Sequence, residues 1–513
     1  MPQRIQTDVV IAGAGPTGLL LAVCLARLGV DAVIVDPKLE PTRESRALVL
    51  QARSVEIYDQ LGMVDRVLAE ATVAASIRPG FGDRAFSRIV FRTLGRGVTP
   101  YPHLYVLEQS KNERLLVERL RELGREVMWG HGVDSVDTQA DGSVSVECTA
   151  PDGDRVTIDA RYCVGADGGS SRIRTLAGIA FEGTTNDNTF YVIDATGVRG
   201  LDPECVNVRF GAEHFLLAFP MGSADHARLL GIVRASDGAD VSESTARATL
   251  RRGFGVAYDS SLWFSTYRVH HRVARHFRAG PMLLAGDAAH IHSPVGAQGM
   301  NTGLQDAHNL ACKLAEVLSG AADDGYLDHF EAERRPVARR LVSTTDTLFG
   351  VITSDRPIAR AVRRWLLPVV VPTAAFVVPR LTGASRIFEY LSQTRVHYWM
   401  SDAARRTARG RRGRVVGRRL PWNGDNFEVL RSMQWHVHAY GRVASAATRG
   451  LHDALGVPVV AFPDIRNRRL VDGRLYLVRP DGFVAAVSTP DAAAARFARA
   501  LAVRTRPAAA TRR

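Results

Sequence analysis

Short apolar runs that stop at a glycine or an acid set the pattern of this chain. Val9 to Ala12, Ala32 to Val35 and Met282 to Ala285 are uninterrupted apolar stretches ending at Gly13, Asp36 and Gly286-Asp287. Such runs, bounded by turn signals, predict strands buried on both faces, as in a parallel sheet. Leu19 to Leu28 carries an apolar face at helical spacing, Ser54 to Gly62 is helix-like, and another helix is predicted from near Asn301. Phe190 to Asp194, His214 to Phe219 and Arg228 to Val233 read as strands of a second layer, to which Ser76 to Leu107 is expected to add more. Leu341 to Gln393 is helical in pattern apart from its prolines, and Gly410 to Pro421 looks like a basic linker. The tail has strand-like Val459 to Phe462 and Arg474 to Ala486.

The first run opens a constellation with a physical logic. Gly13 permits a tight turn, Gly15 lets backbone approach a pyrophosphate, and Gly18 allows close helix–strand packing. The second strand ends in Asp36, 23 residues after Gly13, where a carboxylate takes an adenosine ribose. This motif alone leaves FAD and NAD both open.

Further segments narrow the choice to FAD. Arg43-Glu-Ser-Arg46 precedes the helix-like stretch, Gln109 to Arg114 follows strand-like Leu104 to Leu107, and Asp167-Gly168 follows another buried run. Asp287 ends a strand as an acceptor for sugar hydroxyls. The turn-rich stretch after it (Pro294, Gly296, Gly299, Gly303) offers bare backbone amides to a planar ring. With these motifs in this order, the chain resembles the class A flavoprotein monooxygenases, the family of para-hydroxybenzoate hydroxylase. It looks closest to the branch of phenol and aromatic polyketide hydroxylases. The likeness runs from the start of the chain to the neighbourhood of residue 340 and, more weakly, into the tail.

The resemblance implies an α/β fold with an α+β second layer. Residues 1–75, 108–180 and 276–340 would form a discontinuous, Rossmann-like FAD-binding domain, and 76–107 with 181–275 a β-sheet substrate domain roofing the flavin. A helical segment at 341–409 and a thioredoxin-like domain at 420–513 would follow. Gly13, Gly15, Pro16, Thr17 and Gly18 would hold the FAD pyrophosphate and Asp36 the ribose, with Lys38 and Val133 as further cofactor positions. Arg46 matches the arginine near the FAD phosphates and is expected to assist flavin reduction. Gln109 and Asp287 match ribityl-side residues, and Asp167 belongs to a motif used for FAD and nicotinamide. Pro294 and Ala297 lie in the turn beside the flavin, with Met300 and Asn301 amides near its pyrimidine edge. Two departures stand out: Asp36 replaces the frequent Glu, and Gly296-Ala297 replaces the usual Gly-Gly.

The implied activity is insertion of one oxygen atom from O₂ into a phenolic, polycyclic or polyketide-type aromatic, as in antibiotic biosynthesis. NADPH or NADH is the transient reductant, and a flavin C4a-hydroperoxide the oxygen donor. Baeyer–Villiger oxidation of a related ketone and a non-catalytic flavoprotein remain alternatives. An NAD-only dehydrogenase would need no Gly286-Asp287 segment, and no Trp-x-Trp-x-Ile-Pro motif supports a halogenase. Tyr101, His103, Tyr191, His214 and Tyr267 are conceivable bases for a phenol, each more simply an ordinary pocket or core residue, so the catalytic group is left to the flavin.

Composition changes little in this picture. The chain of 513 residues has a formal charge of +13, but only three of its 66 basic residues are lysines (Lys38, Lys111, Lys313). The arginines are dispersed except between Arg405 and Arg419, which favours a solvated basic surface over nucleic-acid binding. Five cysteines without paired spacing suggest buried thiols in a reducing cytoplasm, and no signal peptide fits the first apolar run. Every cysteine lies before residue 313, so the tail cannot run dithiol chemistry, and deleting it is expected to cost solubility more than flavin chemistry. Trp365 to Val378 is too short and too proline-broken to span a membrane. Asp287 with His290 and His292, and His436 with His438, lack a third-ligand pattern, so no metal is expected. Nor is there a nucleophile elbow for Ser/His/Asp catalysis. The expected partner is a small aromatic; a homodimer stays open.

Overall fold

The computed structural model describes residues 3–42, 47–211, 214–223, 225–233, 242–292, 298–353, 384–398, 415–443 and 445–505. The apolar runs form the parallel centre of an eight-stranded sheet. Val127–Trp129, Ala32–Asp36, Gln3–Ala12, Arg155–Gly165 and Met282–Leu284 lie side by side in that order, all parallel. Val9, Val10 and Ile11 are fully buried, as a strand covered on both faces requires. The helix Pro16–Arg27 packs against the helices Gln109–Glu122 and Gly299–Leu318. An antiparallel pair, Gly132–Thr138 and Val144–Thr149, joins the first half of Arg155–Gly165, on the edge whose second half pairs with Met282–Leu284.

The second layer is a nine-stranded sheet. Phe190 to Asp194 is the apolar half of a longer strand, Phe181–Thr196, paired with Ser260–Ala274 and Ala227–Val233. Ser260–Ala274 escaped the pattern because only four of its fifteen residues are buried and its apolar positions are interrupted by Ser, Thr, His and Arg. Ser76–Phe81 joins this sheet parallel to Cys205–Phe210, as expected. Leu104–Val106 does not: it pairs with Val49–Leu50 and Thr72–Ala74 in a separate small sheet. The reason is packing, since Val106 and Leu104 press on the face of the large sheet and so cannot extend its edge.

That large sheet has two distinct faces. Phe190, Val192, Phe215, Leu217, Leu230 and Ile232 point towards Leu48, Val49 and Val106. Tyr191, Ile193, Leu216 and Leu229 point the other way, under the helix Glu243–Phe254. This alternation is the strand period of two.

In the tail, His436–Tyr440 and Val459–Phe462 are parallel neighbours joined through the helix Ser445–Leu455. Arg474–Val478 and Val484–Ser488 then add antiparallel strands, and the helix Pro490–Leu501 closes a βαβ-ββα unit. The His-x-His pair lies on the buried first strand, with His438 against the ring of Phe462 at 4.9 Å.

Two readings of charge and hydropathy need revision. In the expected basic linker, Val415 and Leu420 are buried. Arg419, assigned to a solvated surface, is buried too: it pairs with Glu56 at 2.7 Å and donates to the Val98 carbonyl. Glu56 lies 363 positions away, so no local charge pattern reveals it. Trp365 to Val378 falls outside the described residues, among which no helix is long and apolar enough to cross a membrane.

Buried histidines give the fold a pH limit. Burial pushes His308 and His438 down from 6.5 to about 3, with Arg53 and His436 respectively acting in the same direction. The unfolded chain takes up protons that the folded chain refuses, so the penalty is absent above pH 6.5 and grows as pH falls towards 3. The thermal midpoint of His438→Gln should therefore fall less between neutral and mildly acidic pH than that of the unaltered protein. Parallel pH profiles for the two proteins would reject this account.

Candidate functional site

Strand register brings the sequence motifs to one place. Ala12 pairs with Val35 and with Gly165, and Gly165 pairs with Leu284. All four strands run parallel, so Gly13, Asp36, Asp167 and Gly286-Asp287 leave the sheet along a single edge. That is where open α/β sheets hold their ligands.

The three glycines of the first turn have separable reasons. Gly13 has φ +103°, and a Cβ there would meet the Ala166 carbonyl oxygen at 2.4 Å. A Cβ on Gly18 would lie 1.9 Å from the Gly13 oxygen. Gly15 is different: a Cβ there would meet nothing within 4 Å. Space beyond it is open, so packing within the chain does not require a glycine there. Pro16 occupies the first turn of the following helix, where its missing N–H costs nothing, and the other amides of that turn face outward for an anion.

Asp36 is buried, and its carboxylate accepts from the Ala14 N–H at 2.6 Å and the Lys38 N–H at 2.8 Å. The Lys38 ammonium stands 3.7 Å from it and donates to Thr42 Oγ1. Val133 follows His131, whose N–H donates to the Asp36 carbonyl. Gln109 opens its helix, with its amide nitrogen donating to Glu113 at 2.9 Å and its oxygen 3.4 Å from the Ala47 N–H. Asp167 accepts from the Arg172 and Ile173 amides through Oδ2, whereas its buried Oδ1 has no donor among the described residues.

Asp287 opens onto the cleft without a hydrogen bond among the described residues. Enclosure by surrounding protein nevertheless raises its carboxyl above the ordinary range; Asp306 adds to this and His290 opposes it. Gly286 has φ +62°, and a Cβ there would meet Thr17 Oγ1 at 2.5 Å. Gly303, expected in a turn, lies inside the helix Gly299–Leu318. It is small because a Cβ would strike Thr17 Oγ1 at 2.3 Å and Gly286 Cα at 3.3 Å. Thr17 is thus the wedge between the two ends of the site.

Met300 and Asn301 are in the first turn of that helix, which begins two residues before the predicted start. The Asn301 side chain accepts from the Gln51 N–H and the Ser54 hydroxyl and donates to the Val49 carbonyl. It locks the helix end to 49–54. Arg46, Pro294 and Ala297 lie outside the described residues. Among the conceivable bases, Tyr191 is on the face covered by the helix Glu243–Phe254, away from the cleft. Burial, with Asp59 adding, raises the Tyr101 phenol, and burial with Arg92 lowers the His103 ring. Tyr267 is on the cleft-facing side, stacked on Phe190 at 5.6 Å. His214 directly precedes the strand Phe215–Pro220.

Sequence reasoning missed Glu113, Asp306 and Arg334. Glu113 is fully buried and accepts from the Thr42 N–H at 2.9 Å. An acid in a helical register otherwise suited to solvent was the only signal for either carboxylate.

These residues fit FAD. Asp36 and Asp287 place two polyol-accepting carboxylates on one sheet edge, with Gly15 and a helix N-terminus between them; a nicotinamide dinucleotide would use only the first. Comparison with known proteins agrees. Residues 6–345 match the FAD binding domain family, and the chain belongs to it. It is a flavin-dependent monooxygenase of aromatic compounds, with FAD as cofactor and O₂ and NAD(P)H as co-substrates. The 6-methylpretetramide 4-monooxygenase of Streptomyces rimosus is 31% identical over 94% of this chain and 91% of its own length. The solved anhydrotetracycline hydroxylase OxyS of Streptomyces rimosus superposes with TM-score 0.77 at 29% identity, covering 98% of this chain and all of its own. CabE, an aromatic hydroxylase from angucycline biosynthesis, gives TM-score 0.75 at 28% identity over 94% of this chain and 96% of its own.

Proposed function

We propose that this enzyme hydroxylates a flat, polycyclic phenol of the polyketide type. The observation that carries the reading is the cleft-facing side of the large sheet. Phe190, Phe215, Leu217, Leu230 and Ile232 are buried against Leu48, Val49 and Val106, and the partly buried Phe210, Met221, Trp263 and Tyr267 at the margin of this apolar face suit a planar apolar ligand. The ring systems for which the relatives are named, 6-methylpretetramide and anhydrotetracycline, support the same chemistry.

Bound FAD supplies the oxygen chemistry and accepts electrons from NAD(P)H. The chain holds, aims and dries the site. Gly13, Gly15, Pro16, Thr17 and Gly18 seat the pyrophosphate, Asp36 with Lys38 and Val133 the adenosine side, and Gln109, Asp167 and Asp287 the ribityl side. The amides of Met300 and Asn301 favour negative charge on the pyrimidine, as a helix N-terminus does. Pro294, Ala297 and Arg46 are assigned to the flavin by the sequence resemblance alone, Arg46 for the reductive step. The apolar face excludes water and presents the substrate ring edge at the flavin. All five cysteines are unpaired and buried, which suits a reducing cytoplasm.

Turnover under ¹⁸O₂ with polycyclic phenols tests the proposal. Label is expected on a new ring hydroxyl, with NAD(P)H oxidation accelerated by the substrate. Label in an ester linkage would assign Baeyer–Villiger chemistry instead, and absence of label with every aromatic would leave only a flavoprotein without oxygenase activity.

A further inference from the structure

Behind the Gly286-Asp287 turn lies a buried charge cluster with no part in the roles above. Asp306, on the helix Gly299–Leu318, is fully buried. Its Oδ1 accepts from Arg334 Nε at 2.6 Å. Its Oδ2 accepts from His290 Nε2 at 2.6 Å and from the Gly286 N–H at 3.2 Å. A second Arg334 nitrogen donates to the Thr302 carbonyl at 3.3 Å. Because a carboxylate only accepts, the His290 proton is on Nε2. The ring itself is clamped by Phe277, stacked at 6.0 Å, and by the pairing of His290 with Val273. Burial works to raise the Asp306 carboxyl, yet Arg334 and His290 hold it below the ordinary range, so it remains an acceptor.

We infer that Asp306, His290 and Arg334 are positioning residues for Asp287. The turn they grip is a left-handed one that only glycine adopts freely, and it projects Asp287 into the cleft. One carboxylate oxygen holds both ends of that turn, the Gly286 amide before Asp287 and the imidazole three residues after it. Arg334 fixes the carboxylate from the far side. Asp287 is thereby presented at one angle, and the cofactor does not have to order it on binding. The inference rests on Asp287 being a cofactor residue.

The test is a double-mutant cycle on FAD affinity, with Asp306→Asn and Asp287→Asn singly and together. FAD is titrated into apoprotein, and the visible spectrum of the bound flavin and the thermal midpoint are recorded alongside. Each single variant should weaken FAD about tenfold or more, and the double variant should be no weaker than the worse single, because both changes remove one contact. His290→Asn keeps the Arg334–Asp306 pair and serves where Asp306→Asn fails to fold; the same non-additivity with Asp287→Asn is expected. Effects that multiply independently, or a lowered midpoint with unchanged FAD affinity and spectrum, would overturn the positioning role. Unchanged affinity in Asp287→Asn alone would instead overturn the assignment of Asp287 itself.

Discussion

Gly18→Ala should abolish FAD binding by unmaking the first turn, whereas Gly15→Ala should leave a folded apoprotein that binds FAD about 10–100-fold more weakly. The two substitutions add the same methyl three residues apart, so their difference isolates what each glycine is for. At Gly18 the methyl would lie 1.9 Å from the Gly13 carbonyl oxygen and 3.3 Å from the Ala166 side chain, and neither is a flexible tip that can swing away. The helix Pro16–Arg27 would have to move off the sheet, at a cost of about 3 kcal/mol or more. Gly15 has φ −80° and ψ −178°, which alanine adopts freely, and open space beyond it. Its cost to the apoprotein is that of a poorer N-cap, about 1 kcal/mol or less. The methyl instead occupies space that the pyrophosphate would use. Circular dichroism and thermal midpoints of the apoproteins, with FAD titration, separate the two. Equal FAD affinities for Gly15→Ala and the unaltered chain would mean that no phosphate approaches there.

Glu333→Ala should destabilise the junction between helix and tail by about 3–5 kcal/mol, far more than a surface change. Glu333 accepts from Arg479 through both oxygens, at 2.6 and 3.1 Å, from Lys313 at 2.8 Å and from Asn309 at 3.0 Å. On the tail side, Asp481 accepts from Arg479 and Asn309, each at 3.0 Å, and from the Tyr398 hydroxyl. Burial opposes the charge of Glu333, but Arg479 and Lys313 hold its carboxyl well below the ordinary carboxylate range. Its contribution is therefore full above the unfolded carboxylate value and is lost only as pH falls below it. Removing the carboxylate leaves Lys313 and Arg479 buried with Asp481 as their remaining acid. The diagnostic observation is that Glu333→Ala with Arg479→Met should be less damaging than Glu333→Ala alone, because the second change removes a stranded charge. Urea unfolding of the four proteins measures this, and simple additivity would rule it out. FAD affinity should change little, since Asn309 and Lys313 of this network lie about two and a half to three and a half turns along the helix from Met300.

The contrast between Gly15 and Glu333 marks where local pattern is informative. The turn Gly13 to Gly18 and the acid at Asp36 depend on neighbours in the chain, so spacing alone was sufficient to locate them. Glu113, Asp306 and Glu333 occupy helical positions that look like solvated acids, and nothing nearby in sequence says that their partners are buried with them. Gly303 shows the same limit from the other side. It was assigned to a turn because glycine punctuates loops, yet it thins a helix where Thr17, 286 positions earlier, presses against it. Arg419 belonged to an apparently basic linker and is interior because Glu56 meets it there.

The sequence by itself determined the family, the parallel strands, the glycine turn and the carboxylates at strand ends. These features follow from periodicity and from which residues can adopt a given backbone, both of which are short-range properties. Only the tertiary structure decided which acids are buried in ion pairs, which face of the second sheet packs against Val49 and Val106, and that Tyr191 is on the other. It also decided that one buried carboxylate, Asp306, grips both sides of the Asp287 turn. Those outcomes depend on elements tens to hundreds of residues apart, where desolvation makes a partner obligatory but chain order does not reveal which residue supplies it.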